Sequence, residues 1–199
     1  MEKLIRGWLM ASAALASLVA SPTRAIPGDP KLTVVIYDHA HLNAETLRAA
    51  ESTTSAIFGG AGVQVVWREG FAYAAERRNV LNPPPEDPAT LIVKLQPESE
   101  AARYGVHSVC GGLGFESGAI IFVRRFDAIW LGYIMAHELG HILLGPNAHS
   151  IVGIMRGTLR NEDWEKAAQG TLGFTRRQNQ QIRTWIDERR RPGVAQRNR

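Results

Sequence analysis

Residues 135–155, MAHELGHILLGPNAHSIVGIM, constrain this chain more than any other stretch. They continue an apolar run over 128–144 that contains no proline. Asp127 ahead of the run is an N-cap residue type. Gly145-Pro146-Asn147 behind it cannot continue a helix. The pattern predicts a helix over 128–144 on which His137 and His141, four apart, share one face. Two imidazoles so placed can reach one metal ion at about 2.0–2.1 Å. Glu138, next to the first of them, need not ligate and can take a proton from water on the ion. Gly145 lets the chain turn back, and His149 lies just beyond the turn. Three of the six histidines therefore fall within 13 residues. Three protein ligands and an open position make a catalytic zinc site, where a structural site would be closed. A carboxylate is the rival third ligand, because two histidines and a glutamate also make such a site. Glu162 is the candidate, with Asp163 and Glu165 close by.

The rest of the chain supplies a layered α/β frame. LTVVIYD at 32–38 is rich in β-branched residues and predicts a buried strand. Residues 43–58 have helical spacing, with Leu47, Ala50, Thr54 and Ile57 on one stripe, and GGAG at 59–62 ends them. VQVVW at 63–67, LIVKL at 91–95 and AIIFV at 119–123 predict three more strands. NPPPEDP at 82–88 can only be a loop, and 96–118 reads as irregular. After the 128–144 helix the chain reads as a loop and then a last helix to about residue 190, for which Thr175 with Gln178 forms a capping box. The early strand–helix–strand unit suggests partly parallel pairing. Trp67, Trp130, Trp164 and Trp185 read as core aromatics.

Composition narrows the classes. Of the 199 residues 45% are hydrophobic and 21% charged, which excludes a disordered chain and a collagen-like repeat. Cys110 is the only cysteine, so no intrachain disulfide can form. No internal repeat and no glycine-rich phosphate loop is visible. Residues 1–25 have a short charged start, the apolar run GWLMASAALASLVA and the small-residue exit SPTRA, the pattern of a signal peptide. Export to a periplasmic or extracellular location is the expectation, with no stable membrane anchor, since a span needs roughly 20 apolar residues. The division expected is 1–25 signal peptide, 26–190 one catalytic domain and 191–199 a basic disordered tail. Eight arginines in 176–199 against Asp187 and Glu188 dominate the net charge of +4. No aromatic platform alternates with them, so a specific nucleic-acid partner is not expected. His39 and His41, two apart, read as surface polar residues. Cys110 reads as a lone thiol, and His107 near it lacks partners.

The AHELGH helix, Gly145, His149-Ser150 and Gly153-Ile154-Met155 together resemble the metzincin-type zinc metallopeptidases. The resemblance implies a twisted mixed sheet of about four to five strands with an active-site helix and a C-terminal helix. It implies Zn2+ held by His137, His141 and His149, with Glu138 as general base. It makes Gly145 the turn and Met155 the methionine beneath the site. It also implies a peptide or protein substrate laid by strand addition along an edge strand, matched here to 119–123. The spacing departs from H-E-x-x-H-x-x-G-x-x-H, because the glycine and the third histidine each come late. Gly157 stands where some members carry a tyrosine for the oxyanion. Arg156, beside it, can donate to an oxyanion in this chain, or else it faces solvent. The function expected is an exported zinc-dependent metallopeptidase. The alternatives are a non-catalytic zinc-stabilised binding module, and a zinc hydrolase acting on another amide such as cell-wall peptide.

Overall fold

The β-branched run that opens the domain forms β1 (Lys31–Asp38), whose Leu32, Val34 and Ile36 are buried. The computed structural model describes residues 28–70, 87–106, 112–115, 117–123 and 127–191. The expected signal peptide, His107, Cys110 and the tail beyond Arg191 lie outside them. After β1 come α1 (Ala44–Gly60), β2 (Gln64–Glu69), β3 (Thr90–Pro97) and a 3-10 helix (Glu98–Tyr104). Then follow β4 (Gly112–Phe115), β5 (Gly118–Val123), α2 (Ala128–Leu144), α3 (Asn161–Ala168) and α4 (Arg176–Arg190). The class is mixed α/β. The sheet runs β2-β1-β3-β5-β4, and every neighbouring pair is parallel except β4 with β5.

Two expectations are corrected. The strand at 119–123 is not the edge: β5 lies between β3 and β4, and the edge beside it is β4. That edge falls in the stretch that reads as irregular. With four residues, two of them glycine, β4 is too short to show a period of two. The segment carrying Glu162 is not loop but α3. Its first turn is closed by the Asp163 carboxylate, which accepts the Arg160 backbone N–H at 2.9 Å.

α1 and α2 form the inner helical layer and touch along their length. Gly132 makes this close approach possible, since a Cβ there would lie 2.5 Å from Thr53 Cβ and 2.6 Å from the Ala50 carbonyl. One turn on, the buried Thr54 hydroxyl lies 3.0 Å from the Gly132 carbonyl and ties the helices together. Gly132→Ala should therefore overpack the seam and lower stability by about 1–3 kcal/mol. Urea titration checks this; an unchanged midpoint would mean that the seam yields freely. α2 reaches the sheet at β5 and β4, and α4 packs on α2 from its other side. Met135, Leu139 and Leu143 are buried in this sandwich. No helix among the described residues is long and apolar enough to cross a membrane.

Candidate metal centre

α2 begins at Asp127, whose carboxylate accepts the Ile129 N–H at 2.9 Å. It ends at Gly145, whose N–H donates to the His141 carbonyl at 2.9 Å. Gly145 sits at φ 99° and ψ 165°, a conformation essentially reserved for glycine. From there the chain folds back. His149 comes to 4.7 Å from the His141 ring and 5.5 Å from the His137 ring, centroid to centroid. The three histidines offer one nitrogen each within 4.8 Å of one another. They could hold a metal ion, and among the described residues they are the only cluster of three or more His, Cys, Asp or Glu that meets this spacing. The late glycine and long return loop thus still deliver the third imidazole.

The donor chemistry fits a divalent metal. His137 Nδ1–H donates to the Ile154 carbonyl at 2.7 Å, which fixes the tautomer and leaves the Nε2 lone pair facing the cluster. His141 Nε2 lies 3.1 Å from His137 Nε2. Two nitrogens bound tetrahedrally at about 2.0–2.1 Å from one ion are about 3.3 Å apart, so this spacing suits a shared cation. Burial lowers the pKa of His137, against the opposing pull of the Ile154 carbonyl. Burial first, then repulsion from His137 and His149, brings His141 down to about 4. Both imidazoles are therefore held neutral at pH 7, the form that ligates.

The turn after His149 supports the site from below. Ser150 N–H donates to the Met155 carbonyl at 2.8 Å and Ile154 N–H to the Gly173 carbonyl at 2.9 Å. Met155 is fully buried. Its sulfur packs where a side chain on Gly140 would be, 2.5 Å from the Cβ such a residue would carry. The methionine thus seats against α2 one residue before His141, while its neighbour Ile154 orients His137. Gly157 lies against the third histidine of the cluster: a Cβ there would come within 3.0 Å of His149 Nδ1.

Arg156, the oxyanion candidate, lines the same cleft as the histidines and has several partners of its own. It is 9% exposed, and its Nη1 lies 3.0 Å from Asp163 and 2.9 Å from Glu162. Its Nη2 donates to the Ile151 carbonyl. The guanidinium braces the turn onto α3, and the rival ligand Glu162 is engaged there, outside the histidine cluster. Removing fully buried Asp163 would leave the buried cation with exposed Glu162 as its one carboxylate among the described residues. Asp163→Ala should cost about 3 kcal/mol or more, visible as a lower denaturation midpoint; an unchanged midpoint would mean that Glu162 alone balances Arg156.

Glu138 faces the same cleft, which has a volume of about 730 Å³. Burial pushes its carboxyl up to about 6, opposed by a hydrogen bond from the Gly112 backbone and by His149. The wall beyond His137 is apolar, built from Trp130, Tyr133 and Ile134 of α2 and Leu159, Trp164 and Leu172 opposite. Trp164 is 48% exposed and stacks on Trp130 with centroids 4.0 Å apart, so it is a cleft residue, where the sequence suggests core. Gly112 and Leu113 of β4 form the rim. The sequence gives no sign of this rim, since nothing in 96–118 has a strand pattern. No family model matches the chain, and no curated protein matches it.

Proposed function

We propose that this chain is an exported zinc-dependent peptidase of the metzincin kind. The observation that carries the reading is the meeting of three imidazoles and one buried carboxylate in a single apolar-walled cleft. A cleft of this make-up suits a substrate with a large apolar side chain next to the bond that is cut. Among the described residues no strand lies beyond β4, and this outer edge at the rim suits an extended backbone, which would add to the sheet as a further strand.

In this reading His137, His141 and His149 hold zinc. The ion, when bound, polarises a carbonyl and lowers the pKa of water at its open position to about 7. Glu138 takes the proton of the attacking water on its carboxylate and hands it to the departing amine. The Ile154 carbonyl keeps His137 in its ligating tautomer throughout. Trp164 and Trp130 form the apolar side of the cleft.

The test is the purified chain loaded with zinc and incubated with a diverse peptide library. Cleavage is expected beside large apolar residues, lost on chelation and restored by zinc. Bound zinc with no cleavage of any peptide would overturn the reading and leave a zinc-stabilised binding module.

A further inference from the structure

Gly112 is the first residue of the edge strand, paired across β4 and β5 with Ile121. A Cβ on it would lie 2.4 Å from both Cγ and Cδ of Glu138, and 2.8 Å from Oε2. A Cβ there would force the Glu138 side chain to shift, so the carboxylate holds its present place only because residue 112 is glycine. The other glycine of β4 is under no such demand: a Cβ on Gly114 would meet only His141 Cβ, at an ordinary 3.8 Å. The space therefore singles out one position of the strand, and that position faces one residue of the helix.

The contact is also polar, with the Gly112 backbone N–H donating to the Glu138 carboxylate. The two glycines stand two residues apart on β4, so both turn the same face to α2, Gly112 toward Glu138 and Gly114 toward His141.

We infer that Gly112 is a positioning residue for Glu138, its backbone N–H anchoring the carboxylate and its missing side chain admitting it to the cleft rim. The inference rests on the reading of Glu138 as general base. A glutamate carboxylate hangs on three rotatable bonds and is otherwise free to leave the cleft. One oxygen tied to a rigid sheet leaves the other aimed at the water whose proton it takes. Because the anchor lies in the strand that would pair with substrate, binding of an extended chain on β4 would fix the base against that same chain.

Two measurements test this. In zinc-loaded chain labelled with 15N-glycine, the Gly112 amide proton should lie downfield, as expected for a donor to a charged acceptor. In Glu138→Ala it should move upfield while the Gly114 amide stays. Gly112→Ala should keep its zinc and its KM and lose about 10²-fold in kcat, the penalty of a misplaced catalytic group. A Gly112 amide indifferent to Glu138→Ala, or wild-type kcat in Gly112→Ala, would overturn the inference. A wild-type chain that cleaves nothing would instead sink the peptidase reading, and the amide shift would still decide whether Gly112 holds Glu138.

Discussion

Glu138→Gln should lower peptide turnover by about 10²–10⁴-fold and leave the zinc in place. Glutamine keeps the length and shape of the side chain but cannot accept a proton at neutral pH. The carboxylate lies in the cleft with the histidine cluster and is not needed to complete a three-nitrogen metal set. A variant with full zinc and full activity would remove Glu138 from the mechanism. Acid should inhibit the wild type, because the base works only when deprotonated. Burial places its pKa at about 6 in the metal-free chain, and a nearby dication lowers it. The acid limb of kcat/KM should therefore lie at or below pH 6; a limb above pH 7 would point to another group.

The same burial has a consequence for stability, with a definite sign. The folded-state pKa of about 6 exceeds the ordinary 4.5, so the unfolded chain releases this proton first. Stability is lost as pH rises between the two values, by about 2 kcal/mol once both states are ionised. Metal-free Glu138→Gln should thus be more stable than the wild type at pH 8 and equal to it below pH 4. Denaturation at the two pH values checks this, and a wild-type advantage at pH 8 would contradict it. Activity held at the expense of stability is the usual mark of a working group.

Much of the frame was legible because its elements are long and periodic. The stripe Leu47, Ala50, Thr54 and Ile57 faces the core as its spacing predicts. α2 and α4 begin at the capping residues seen in the sequence, Asp127 and Thr175. What escaped was short or held by distant partners. β4 exists because β5 and the α2 rim receive it, and four residues leave no pattern of their own. α3 takes its place from the Arg156–Asp163 pair and from Trp164 stacking on Trp130, contacts that no local window displays. The resemblance matches the edge strand to 119–123 because the true edge, β4, leaves no pattern of its own in the sequence.

The histidine cluster was legible and its supports were not. The spacing of His137 and His141 on one helix is a local fact, and His149 follows within one turn of chain. The partners of those residues come from elsewhere. The Ile154 carbonyl that orients His137 is set by a turn hydrogen-bonded to Gly173. The Gly112 contact with Glu138 joins residues on a strand and a helix that sequence alone does not bring together. Nor does anything near Arg156 in the sequence say that Asp163, seven residues on, will bury beside it.

His149→Ala should take the chain from about one zinc per molecule to near none after dialysis, because two imidazoles alone hold the ion poorly. This is the residue on which the metal assignment turns. His137 and His141 are fixed by the helix, whereas His149 depends on a return loop longer than the resemblance leads one to expect. The structure brings its ring to 4.7 Å from that of His141, and Gly157 leaves room for it. Glu162→Ala is the matched control: its carboxylate pairs with Arg156, so zinc should stay while the turn loosens modestly. The opposite result, zinc lost with Glu162 and kept without His149, would make the site a two-histidine, one-carboxylate centre. It would require the Arg156 pair to open when metal binds, and Glu138 would then serve a different ligand set.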